Sequence, residues 1–98
     1  MAITKYTITG ATWTPISSAG QSGTCWLNGL ISGGGKVVIN HSKTGTGALL
    51  TAEGYPVADP SKNEDAVQIV ADDLNDIFYA RCTDSLASAI LFADVRTV

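Results

Sequence analysis

Asp76-Ile77-Phe78-Tyr79-Ala80-Arg81-Cys82 and Ala89-Ile90-Leu91-Phe92-Ala93-Asp94-Val95 are two apolar runs of strand length on either side of a short polar stretch, Thr83 to Ser88. Runs rich in aromatic and β-branched residues around a Thr/Asp/Ser turn read as a terminal β-hairpin, the element that closes a small sandwich or barrel. Upstream, Ile3-Thr4-Lys5-Tyr6-Thr7-Ile8-Thr9 has the composition of a first strand, which Gly10 ends. Trp13 and Ile16 straddle Pro15, a pattern suited to an edge or an irregular extended segment because proline offers no ladder donor. Ser17 to Gly23 is rich in turn residues, Thr24-Cys25-Trp26-Leu27 reads as a short strand, and Asn28-Gly29 is a tight-turn signal. Gly33-Gly34-Gly35 leads into Lys36-Val37-Val38-Ile39-Asn40-His41, the clearest single strand of the chain.

The middle is less regular. Ala48 to Ala52 and Tyr55-Pro56-Val57 read as two strands, or as one strand and an extended loop reaching Asn63. Val67, Ile69 and Ala71 alternate as a strand requires, while Val67, Val70, Ala71 and Leu74 also fit a helical face, with Ser61 and Glu64 at capping-box spacing. Val/Ile enrichment and the β-rich surroundings favour the strand, with Asp72 to Asp76 as the turn that follows. Seven or eight short strands then predict one all-β domain over 1–98, an antiparallel β-sandwich or small β-barrel.

Ninety-eight residues suffice for one modest core. Only 15% of them are charged, against roughly 25% in an average globular domain, so exposed strand edges are thinly guarded. The terminal pair is apolar on both faces: Ile77 and Tyr79 oppose Phe78 and Ala80, and Ile90 and Phe92 oppose Leu91 and Ala93. A hairpin with one wet face should alternate apolar and polar residues. The expected core is Ile8, Trp26, Val38, Ile69, Phe78 and Phe92, and the other face, with Ile77, Tyr79 and Leu91, is assigned to a partner subunit. The chain is thus expected to form a homo-oligomer or to be ordered by docking on a larger lattice.

The chemical inventory is sparse. Net charge is −3 and the six Lys and Arg are scattered, so no basic stripe exists for nucleic acid. Met1 to Tyr6 lacks the apolar segment of a signal peptide, and no apolar stretch is long enough to span a bilayer, which predicts synthesis in a cytoplasm and no membrane partner. Cys25 and Cys82 lack metal-ligand spacing and are expected as reduced, buried thiols, a disulfide being the alternative if their strands are neighbours.

His41 is the single histidine, so any Ser-His-Asp or Cys-His arrangement must use it; an exposed or hydrogen-bonded imidazole at a strand end needs no catalytic role. Gly20-Gln21-Ser22-Gly23 lacks the spacing of a nucleophile elbow, and Lys43-Thr44-Gly45 has no S-x-x-K to accompany it. Gly33-Gly34-Gly35-Lys36 fails as a phosphate loop, since Val37 stands where Ser or Thr must hold magnesium. Asp72, Asp73 and Asp76 could gather around calcium but read better as a solvated turn, because Leu74 occupies a position that needs oxygen. Asn40-His41-Ser42 is a glycosylation sequon in form only, given the cytoplasmic expectation. No catalytic residue, metal or cofactor is predicted. Trp13, Trp26, Tyr55, Phe78 and Tyr79 could instead form an aromatic platform for sugar rings, with core or subunit interface as the alternative. Tyr55, in Gly54-Tyr55-Pro56, and Trp13 are the candidate stacking residues.

As one pattern the chain resembles small virion proteins of tailed bacteriophages. The resemblance rests on Ala11-Thr12-Trp13-Thr14, Ile16-Ser17-Ser18-Ala19-Gly20 and Gly23-Thr24-Cys25-Trp26-Leu27, a Trp followed by a Gly-containing loop and a short strand. Val37-Val38-Ile39, Gly54-Tyr55-Pro56-Val57 and Asp76 to Cys82 resemble the later strands, with Tyr79-Ala80-Arg81 the most distinctive step. It implies a non-enzymatic structural part of a virion, such as a capsid decoration protein, head fibre or tail-associated module. Its partners would be copies of itself, with a trimer suggested by the resemblance alone, and other virion proteins. A receptor- or glycan-binding module of a virion is the alternative.

Overall fold

A computed structural model describes residues 3–28, 31–33, 35–42, 55–56 (backbone alone), 66–71 and 74–97. Among the described residues eight strands form two antiparallel four-stranded sheets. β1 (Ile3–Thr9), β8 (Ser88–Thr97), β3 (Gln21–Leu27) and β6 (Val67–Ile69) make the first sheet, in that order. β2 (Thr14–Pro15), β7 (Ile77–Cys82), β4 (Val37–Ser42) and β5 (Tyr55–Pro56) make the second. One buried cluster draws on both sheets: Ile8, Cys25, Leu27, Ile69, Leu91 and Ala93 from the first, and Val37, Ile39, Phe78, Ala80 and Cys82 from the second. The all-β sandwich expected from the sequence is therefore observed.

The stretch that suggested this architecture is connected differently from the hairpin expectation. β7 and β8 follow one another in the chain but lie in opposite sheets. Each is central: β7 sits between β2 and β4, and β8 between β1 and β3. Side by side, their apolar inner faces would both need cover from the opposite sheet. Across the core, each covers the other, which is how two sheets of a sandwich share one interior. The polar stretch is still the turn, and it is firmly tied. The Thr83 amide donates to the Lys36 carbonyl at 2.8 Å, and the Lys36 amide to Thr83 Oγ1 at 2.9 Å. Asp84 Oδ1 accepts the Leu86 amide at 2.9 Å, a local bond that stabilises Asp-led turns. Gly10, at φ 61°, grips both ends of this crossing by donating to the Ala87 carbonyl and accepting from the Cys82 amide. A Cβ there would stand 2.9 Å from the Ser85 carbonyl oxygen, so only glycine fits without displacement.

Strand phase follows from the same change. Along β8, Ala89, Leu91 and Ala93 are buried and join the core, while Ile90, Phe92 and Asp94 are half-buried and alternate with them. Leu91, expected at a subunit interface, is a core residue with no exposed surface. Phe92 and Trp26, expected in the core, lie on the outer face of the first sheet. The reason is the pleat: β8 faces β7 across the core with Ala89, Leu91 and Ala93, so the residues that alternate with them must point to the outer side. Ile8, Val38, Ile69 and Phe78 are buried as expected. Val38, however, alternates with the core positions Val37 and Ile39 and so lies on the outer side of the second sheet.

Elsewhere the strand reading of Val67–Ile69 holds: Ile69 is fully buried and pairs with Gly23 of β3. β3 begins at Gln21, three residues before the predicted start, inside the stretch read as a loop. The strand expected at 48–52, the capping pair Ser61 and Glu64, the carboxylates Asp72 and Asp73, the turn position Gly29 and the Tyr55 side chain lie outside the described residues.

Candidate functional site

Three groupings of side chains could carry function, and the register positions all of them. The first is the outer face of the first sheet. Phe92 of β8 stands between Lys5 of β1 and Trp26 of β3, one residue from each of three neighbouring strands. The Phe92 and Trp26 rings stack with centroids 6.0 Å apart and planes 27° from parallel. Two residues away on one side, Ile90 pairs with Thr7; on the other, Asp94 lies between Ile3 and Thr24. Ile3 is 53% exposed, and Ile90, Phe92 and Trp26 are each half-buried. Arg96 Nη2 comes within 3.9 Å of Asp94 Oδ1, an exposed guanidinium beside a mostly covered carboxylate, a long pair that sets local charge more than stability. The surface is thus an aromatic and aliphatic strip with Lys5 at one margin and Asp94 and Arg96 at another.

The second grouping is the outer side of the second sheet, where two of the predicted residues sit. Tyr79 alternates with the core positions Phe78 and Ala80, as Val38 does on β4, yet both are only 6% exposed. Tyr79 pairs with Pro15 and Asn40 in register, and Ile77 beside it is half-buried. Tyr79, expected to face a partner subunit, is therefore covered within the chain. Trp13, the candidate sugar-stacking residue, is half-buried with the Arg81 guanidinium over its ring at 5.4 Å. Arg81 is held there in part by a long hydrogen bond, 3.4 Å, from Nη1 to the Ala11 carbonyl. A ring face already occupied by a guanidinium offers a ligand less stacking surface. The backbone of Tyr55 lies in the edge strand β5, opposite Ile39.

The third grouping was not foreseen. His41 Nδ1 lies 2.9 Å from each carboxylate oxygen of Asp76. Asp76 is fully buried, whereas the His41 side chain is 36% exposed and leans on the Phe78 ring, centroids 5.4 Å apart. The register explains the meeting: His41 is directly opposite Phe78, which places Asp76 on the same face one diagonal step away. Asp76 is held by its own backbone, whose carbonyl accepts the Gly20 amide at 2.9 Å, and Ser17 Oγ accepts the neighbouring Phe78 amide at 3.0 Å. The solvated turn expected at Asp76 is therefore corrected: the carboxylate faces inward and the imidazole covers it. An imidazole oriented by a carboxylate can move protons, and it equally ties β4 to the start of β7.

Both cysteines are free and buried, in opposite sheets, so the disulfide alternative is not realised. Burial pushes the Cys25 thiol up to about 12, and burial likewise raises that of Cys82, whose Sγ donates to the Ile8 carbonyl at 3.6 Å. Neither is a nucleophile at neutral pH, since the thiolate is the reactive form. Among the described residues no three His, Cys, Asp or Glu side chains gather in a way that could hold a metal ion. Likewise among them, no helix is long and apolar enough to cross a membrane.

No protein-family model, curated protein or solved structure matches the chain.

Proposed function

We propose that this chain is a non-enzymatic structural module that holds its place in a larger particle through protein–protein contacts on the outer face of its first sheet. The observation that carries the reading is the strip formed by Ile90, Phe92 and Trp26, three large apolar side chains left half-buried on the face away from the core. A contact surface of this kind, an aromatic centre with a charged margin, suits docking on another protein subunit. The setting, a phage virion as decoration, head-fibre or tail-associated protein made in the host cytoplasm, rests on the sequence resemblance. Purified particles from an infection test it directly. Mass spectrometry should find the wild-type chain in the particle and find Phe92→Ala or Trp26→Ala depleted. A chain abundant in infected cells yet missing from the particles contradicts the reading.

A sugar-binding role is the second reading, favoured by one observation. Trp26 and Phe92 present a stacked aromatic pair beside the polar groups of Lys5 and Asp94, which suits a sugar ring. This platform centres on Trp26, apart from the candidates Trp13 and Tyr55. A glycan array with the multivalent wild type and Trp26→Ala separates the readings: binding lost in the variant favours the sugar, and no binding by either favours the structural role.

A further inference from the structure

Among the described residues each sheet of the sandwich has two edges, and three of these four edges are blunted. β2 and β5 are two residues long and each contains a proline, Pro15 or Pro56. β6 is three residues long. Short edges and edge prolines are the ordinary devices that stop strands from pairing with other chains. β1 has neither. Seven residues without proline, Ile3 to Thr9, form the outermost strand of the first sheet, and no strand pairs with its far side among the described residues. Ile3, Thr4, Lys5, Thr7 and Thr9 are all exposed, Thr4 even though its register with Ala93 places it on the core side. Lys5 is the single charge on the strand.

We propose that two copies of this chain pair through β1, edge to edge and antiparallel, about a two-fold axis at Tyr6, so that two four-stranded sheets become one of eight. The inference goes beyond the functional reading above, because it uses the sheet's edge and not its face. The strand is its own complement in this register. Ile3 meets Thr9, Thr4 meets Ile8, Lys5 meets Thr7 and Tyr6 meets Tyr6, so all seven residues pair. Each residue of the core face, Thr4, Tyr6 or Ile8, meets another of that face. A slip of one residue would set the core face of one copy against the outer face of the other. Centring the axis on Lys5 would oppose the two lysines directly, and like charges directly opposite are destabilising. Centring it on Thr7 leaves Ile3 and Thr4 outside the strand pairing. Tyr6, half-buried against the core, then meets its counterpart at the axis and closes the open end of both interiors. An isologous edge closes on itself as a dimer and stops there. The trimer suggested by the sequence resemblance does not follow from this edge.

The test reads assembly and register together. Size exclusion with light scattering should show a concentration-dependent species of twice the 10.2 kDa chain mass. Residues directly opposite in an antiparallel pair have Cα atoms about 4.5–5.5 Å apart, within reach of a disulfide. Lys5→Cys mixed with Thr7→Cys should therefore cross-link under mild oxidation, and Lys5→Cys alone should not. Native Cys25 and Cys82 stay silent, being buried with raised thiols. Charge supplies a second arm on an exposed position that does not threaten the fold. Thr7→Lys sets two Lys–Lys oppositions across the axis and should weaken the dimer several-fold, while Thr7→Glu should tighten it by a similar factor. A monomer at every concentration, a trimer, self-linking of Lys5→Cys, or indifference to charge at position 7 each overturns the proposal. Particle incorporation that persists after the edge is broken leaves the face reading standing, so the two can fail separately.

Discussion

The two central strands, β7 and β8, carry nearly the same kind of sequence and end in different surroundings. On β7 the outward Tyr79 is as buried as a core residue, with Pro15 and Asn40 beside it. On β8 the outward Ile90 and Phe92 stay partly exposed, next to a Lys and a Trp from the flanking strands. A strand that is apolar on both faces must bury both, but it does not say what covers the second face. In the second sheet the chain covers much of it itself. In the first it leaves an aromatic strip, and that asymmetry is the basis for assigning the first sheet to partners.

The largest expected effect breaks the shared interior of the two strands. Phe78 is the largest fully buried side chain among the described residues, and Phe78→Ala should lower stability by about 3–5 kcal/mol in denaturant unfolding. A near-wild-type midpoint would mean that β7 and β8 do not face each other across a core. A loss confined to alkaline pH is expected from the residue next to Trp26. The Cys25 thiol is raised from 9.0 to about 12 in the folded chain, so the unfolded chain ionises first. Stability is unaffected by this group below pH 9 and falls between pH 9 and 12, at a slope approaching about 1.4 kcal/mol per pH unit. Cys25→Ala should lessen that slope, leaving the share of Cys82, whose thiol burial also raises, while Trp26, one residue on and facing outward, remains open to acrylamide quenching.

Much of the fold was legible because period-two alternation and turn chemistry are local. Ile3–Thr9 is delimited by its β-branched residues and Gly10, and the proline-bearing segment at Trp13 to Ile16 suits an edge or an irregular extended segment, of which the edge is observed. The partner of a strand is not local. Nothing in Thr83 to Ser88 distinguishes a hairpin turn from a crossing to the opposite sheet, and the choice turned the phase of Leu91 and Phe92. His41 and Asp76 were hidden for the same reason. They are 35 residues apart and meet only once β4 and β7 are paired in register. Spotting them would have required asking which carboxylate could reach the single histidine across neighbouring strands.

That pair gives a prediction of intermediate size. His41→Ala removes one partner of a buried carboxylate and should cost about 1–3 kcal/mol, with Asp76→Asn recovering part of the loss in the double variant. Additive losses in the double-mutant cycle would show that the two side chains do not support each other. The smallest effect on folding is expected on the outer face of the first sheet. Phe92→Ala should shift stability by about 1 kcal/mol, well below the loss at Phe78, because its ring lies outside the core and is only partly buried.

The most direct test of the central claim combines that last variant with assembly. Phe92→Ala should melt close to the wild type and yet fail to enter the particle, since the strip would be a contact surface and not part of the core. A variant that enters particles as well as the wild type while keeping its fold would contradict the assignment of the first sheet's outer face.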